Sequence, residues 1–94
     1  TGDDNAAVGK DSLRYNTTGL NNTAMGVAAL RDNTTASYNS AMGMYALAAN
    51  TTGSYNTSLG MNALKTNSTA DFNTALGFDA LGLNTTGAKT CFNC

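Results

Sequence analysis

The sequence predicts an all-β fold, a parallel β-solenoid or β-roll of five 17-residue repeats with room for one short helical turn per coil. Three observations lead there. The stretch Asn73-Thr74-Ala75-Leu76-Gly77-Phe78-Asp79-Ala80-Leu81-Gly82-Leu83-Asn84-Thr85-Thr86-Gly87 recurs with the same spacing from Asn5, Asn22, Asn39 and Asn56. The recurring positions form columns of one chemical type. The period is too short for two-helix repeats, which need roughly 33 to 47 residues, and suits one turn of a solenoid.

The whole chain, 1–94, reads as a single repeat domain. Residues 1–4 match the end of a repeat. Full repeats follow at 5–21, 22–38, 39–55, 56–72 and 73–89, and 90–94 fill the first five positions of a sixth. The chain starts at Thr1 without an initiating Met, which reads as a processed product or an excised piece.

Stacking at about 4.8 Å turns each repeated position into a row along the rod. Asn5, Asn22, Asn39, Asn56 and Asn73 form one row, and Asn16, Asn33, Asn50, Asn67 and Asn84 another. Both are expected to act as structural side-chain amide ladders at turns. Leu13, Leu30, Leu47, Leu64 and Leu81 are the expected core. So is the medium-sized apolar row Val8, Met25, Met42, Leu59 and Leu76, since one repeat cannot bury such residues but stacked neighbours can. Rows of Ala or Ser mark a thin coil. Gly9, Gly26, Gly43, Gly60 and Gly77 mark a corner with positive φ or a close backbone approach. Asn-Thr-Thr-Gly is turn chemistry. Tyr38, Tyr55 and Phe72 share a row and are placed to stack.

Between corners, Thr-Ala-Leu-Gly reads as a short strand. The segment 61–67 is either extended or one helical turn ended by Asn, because Met, Ala, Leu and Lys favour helix. A strand-dominated coil is preferred, since so short a helix is marginal.

Composition excludes more than it assigns. Charged residues are 12% of the chain and the net charge is −1, so there is no basic footprint for nucleic acid or an anionic membrane. No apolar run is long enough for membrane insertion as a helix. There is no His, and the only carboxylates are aspartates. Asp11 and Asp79 share a row but lie about 19 Å apart on the strand spacing, too far for an acid–base pair. The chain is therefore not expected to be an enzyme. No catalytic residue, metal site or cofactor is assigned. Arg14, Arg31 and Lys65 share a row with Ala48 and Gly82, and solvated edge protection explains them better than an anionic partner does.

Three surface chemistries remain open. Asn16, Asn33, Asn50, Asn67 and Asn84 each begin an Asn-x-Ser/Thr sequon and are glycosylation candidates if their row faces outward. Asn21 and Asn56 begin sequons too. Stacked Thr hydroxyls suggest an ice-binding solenoid, although adjacent Thr-Thr pairs point to opposite faces of a strand. Cys91 and Cys94 are disulfide candidates, within the tail or to a neighbouring chain, in an oxidising compartment.

The motif Asn-Thr-Ala-Leu-Gly-x-x-Ala-Leu, followed by Asn-Thr-Thr-Gly, resembles repeats of tail-fibre-like and surface-anchored proteins of phages and bacteria. It also resembles a longer form of the head repeat of trimeric autotransporter adhesins, with three additional residues around Asn-Thr-Thr. The resemblance covers 5–89. It implies a parallel β-roll on a fibrous object at a cell or virion surface. The expected function is a structural subunit of an extracellular fibre or filament, built by end-to-end stacking. The alternative is an excised segment of a trimeric adhesin or phage tail fibre. The expected partner is the chain itself, as homo-oligomer or filament, with surface glycans or a host receptor as further adhesin-like partners.

Overall fold

The computed structural model describes residues 2–87 together with the backbone of Cys91–Phe92. It is a β-solenoid without helix among the described residues. Each repeat supplies one short strand: β1 Ala6–Val8, β2 Thr23–Met25, β3 Ser40–Met42, β4 Thr57–Leu59, β5 Thr74–Leu76 and β6 Cys91–Phe92. All pair in parallel in the order β1-β2-β3-β4-β5-β6. Partners are 17 residues apart throughout, as in Ala24↔Ala41 and Thr74↔Cys91. The repeat period in the sequence is thus the sheet register, and β6 carries that register into a sixth coil.

The remaining backbone of each coil also pairs with its neighbours. In the segment 61–67 the N–H groups alternate in direction. Those of Ala63, Lys65 and Asn67 bond three residues back within the coil, at 3.1–3.2 Å. Those of Asn62, Leu64 and Thr66 cross to adjacent coils, to Met44, Ala80 and Gly82 carbonyls. This rules out the alternative of a helical turn and agrees with the preferred strand-dominated coil. A helix would direct every N–H along its own axis and forfeit the cross-coil bonds. The sequence instead alternates hand: Asn62 and Leu64 have φ of 62° and 51°. All five core leucines share this left-handed conformation. It costs roughly 1–2 kcal/mol for an L-residue, which burial of a Leu side chain, worth about 1.5–3 kcal/mol, offsets.

The Gly row behaves as expected. Its φ values lie between 122° and 130°, outside the range of ordinary residues. A Cβ on Gly43 would lie 2.7 Å from the carbonyl carbon and oxygen of Gly60. The corner therefore needs glycine both for its dihedrals and for the stacking distance.

The interior is narrow. Leu30, Leu47 and Leu64 are fully buried, with Leu13 and Leu81 packed against them at the ends. Alanines fill the rest: Ala24, Ala41 and Ala75 from the strands, Ala29, Ala46, Ala63 and Ala80 from the turns. Ser58 takes the strand position in β4, and its hydroxyl donates to Ala63 O at 2.7 Å, so the buried polar atom is satisfied.

The second apolar row is not core. Val8, Met25, Met42, Leu59 and Leu76 are 42–60% exposed. Strands β1 to β5 have only three residues each, and in β2 to β5 alternation sends the middle one inward and its neighbours outward. The inward place goes to Ala or Ser because the coil is too thin for anything larger. The medium-sized residue is left on the surface.

Candidate functional surfaces

The two asparagine rows are the most ordered polar feature of the molecule. In the first, each side-chain Oδ1 accepts the backbone N–H of the equivalent Asn in the next coil. Asn22, Asn39, Asn56 and Asn73 donate in this way to Asn5, Asn22, Asn39 and Asn56 at 2.8–2.9 Å. The Nδ2 groups of Asn5, Asn22, Asn39 and Asn56 donate to the carbonyls of Gly19, Ala36, Gly53 and Ala70, closing each coil. In the second row, each Nδ2 donates to Oδ1 of the preceding coil: Asn33 to Asn16, Asn50 to Asn33, Asn67 to Asn50 and Asn84 to Asn67, at 2.8–3.1 Å. The same nitrogens reach back to the carbonyl three residues on, as Asn50 does to Gly53 at 2.8 Å. Both rows therefore converge on one carbonyl per coil.

This arrangement answers the glycan question for the three inner members of the second row, while Asn16 and Asn84 at its ends are partly exposed. Asn33, Asn50 and Asn67 are fully buried, and their Nδ2 hydrogens are both engaged. The outward-facing row that N-linked glycans would require is not what the structure has there. Asn56 is buried as well. Among the sequon asparagines, Asn21 is exposed.

The Thr-Thr pair divides its labour. The hydroxyls of Thr17, Thr34 and Thr51 donate to the carbonyls of Thr34, Thr51 and Ser68. Thr18, Thr35, Thr52, Thr69 and Thr86 face solvent as a single file. A paired Thr-x-Thr array is not formed by these residues.

The aromatic row stacks. Tyr38 and Tyr55 have ring centroids 5.0 Å apart at 7°, and Tyr55 and Phe72 repeat the geometry at 5.0 Å and 5°. The rings are half exposed, and their backbones are left-handed, with φ of 61–62°. The ring spacing matches the coil spacing, so the rows lie face to face and offer mainly edges to solvent.

Charged groups pair locally. Arg31 bonds Asp32 at 2.9 Å, and that bond holds the Arg31 pKa above its ordinary value. Arg14 lies 3.4 Å from Asp11. Lys65 sits over the Tyr45 ring at 5.0 Å. A surface recess lined by Asn62, Lys65, Thr66, Asp79, Gly82 and Leu83 opens where Gly82 leaves room beside Lys65. Asn62 Oδ1 is buried without a hydrogen-bond partner there. No three His, Cys, Asp or Glu side chains converge among the described residues. The proposed cysteine cross-link falls on Cys91 and Cys94, whose side chains lie outside those residues.

The feature that column reading missed is an apolar stripe. The strand-end row just described is joined across the Gly corner by Val27, Met44, Met61 and Phe78. All nine side chains are at least 38% exposed. The signal was present in the sequence: two bulky apolar rows flank one invariant glycine row, and a thin coil has no room to bury both.

No known family model matches the chain, and no curated protein or solved structure shows significant similarity to it. The class of molecule therefore rests on its own geometry: a β-solenoid repeat protein.

Proposed function

We propose that the chain is a structural, rod-forming segment of an extracellular fibre, lengthened by end-to-end stacking of coils. The observation that carries this reading is the translational match between coils. Each coil offers its successor the donors and acceptors that it receives from its predecessor, in backbone and side chain alike. A further coil, whether from a second copy or from more of the same chain, meets a ready template. Contact between unlike ends that repeats as a translation along the rod axis does not close, and so generates an open filament rather than a ring. The surfaces described above fit a scaffold better than a catalyst: hydroxyl rows, stacked ring edges and locally neutralised charges. In an oxidising compartment, Cys91 and Cys94 would lock such joints.

Electron microscopy of the purified chain under non-reducing conditions tests this. The expected result is filaments far longer than the 33 Å long axis of one subunit, with a meridional reflection near 4.8 Å. Discrete particles no longer than one subunit at every concentration would reject it.

A further inference from the structure

We infer that the apolar stripe is a lateral interface and that its occupant is a second copy of this chain, lying alongside with its axis aligned. Monomeric proteins rarely expose a continuous apolar patch above a few hundred Å². Nine side chains, at least 38% exposed, with full areas on the order of 150–200 Å² each, present roughly 600–850 Å². That approaches the ~800 Å² each partner contributes to a standard interface. The exposure is also organised. Met25, Met42 and Leu59 lie in exact strand register, one per coil, and Met44 and Met61 repeat the pattern beyond the corner.

The occupant follows from period and charge. A small ligand would use one or two coils, whereas the stripe runs through every coil with the period of the rod. A partner matching it over that length must carry the same period, and a second copy does. The one charged residue in the two rows is Lys10 in the first coil, and from Val27 to Phe78 there is none, so over those coils nothing selects a charged partner. A shallow groove of about 200 Å³ runs beside Met42 and Leu59, floored by Ala41 and Ser58 and bordered by Ser40 and Thr57. It gives a neighbouring thioether or isobutyl group a place to seat. Methionine, flexible and polarisable, adapts readily to such a contact. The four methionines of the chain are all in these two rows.

The inference deepens the fibre reading by naming a side-by-side partner, but the two fail separately. Sedimentation equilibrium and electron microscopy are applied to the native chain, to Met42→Glu/Leu59→Glu, and to Thr35→Glu/Thr52→Glu on the exposed Thr row. Circular dichroism confirms that each is folded. The expected result is lateral multimers for the native chain and the Thr-row variant. Association is weakened at least about tenfold in the stripe variant, and any filaments it forms are thinner. A fixed small multiple lost only in the stripe variant supports the lateral contact even if filaments never form. Filaments of unchanged width in the stripe variant, equal weakening by the Thr-row variant, or a native chain that stays monomeric would each overturn it.

Discussion

Leu64 and Leu59 stand five residues apart in one coil and have opposite fates. Leu64 is fully buried, while Leu59 is 42% exposed. Asn56 and Asn67, in the same repeat, are fully buried. The interior thus holds amides and one leucine per coil, and a surface face holds methionines, leucines and valines. Hydrophobicity alone does not decide what is inside a 17-residue coil. An asparagine is admitted because its donors and acceptors match the lattice of the coil above or below. A medium-sized apolar residue beside the glycine corner is kept out because the strand interior has space for an alanine.

The contrast is broken most severely from the polar side. Asn50→Leu keeps the branched heavy-atom skeleton but is bulkier, and it strips partners from Asn33 Oδ1, Asn67 Nδ2 and Gly53 O. With each buried unsatisfied group costing roughly 1–3 kcal/mol, urea unfolding should show a loss of about 4 kcal/mol or failure to fold. Leu64→Ala opens a cavity in the core row and should cost about 3 kcal/mol, read as a lowered denaturant midpoint with unchanged m-value. Tyr55→Ala removes two stacked contacts at roughly 0.5–1.5 kcal/mol each. A loss of about 1–2 kcal/mol in thermal or urea melts is expected, together with loss of the coupled tyrosine signal in near-ultraviolet circular dichroism. Leu59→Ala, made on the dissociated chain, should change stability by no more than about 0.5–1 kcal/mol. If Leu59→Ala cost as much as Leu64→Ala in the isolated chain, the assignment of inner and outer rows would be wrong.

Much of this was legible in the sequence. The Asn73–Gly87 stretch and its copies fixed the period, and the period became the strand register. The invariant leucines proved to be core, the glycines proved to be left-handed corners, and Tyr38, Tyr55 and Phe72 stacked as their shared row implied. What was not legible depended on the width of the coil. Val8, Met25, Met42, Leu59 and Leu76 carry the composition of a core row, and only the three-residue strand with Ala or Ser at its centre shows that they face out. The conformation of 61–67 was hidden for a different reason. Its helix-favouring residues are overridden by cross-coil hydrogen bonds that local propensity does not see. The sequons were a third case: Asn-x-Ser/Thr describes the ladder as well as it describes a glycan acceptor, and burial distinguishes them.

The second asparagine row has one more property. Every Nδ2 in it points toward the preceding coil and every Oδ1 toward the following one, from Asn16 to Asn84. The amides are aligned dipoles, head to tail, and their fields add along the axis as those of peptide units add along a helix. The rod is therefore a polar object, electropositive at its first coil and electronegative at its last along this row. Its two tips are chemically unlike, so joining tail to head continues the series while joining head to head sets like poles together. A fibre made this way has a direction written into its interior.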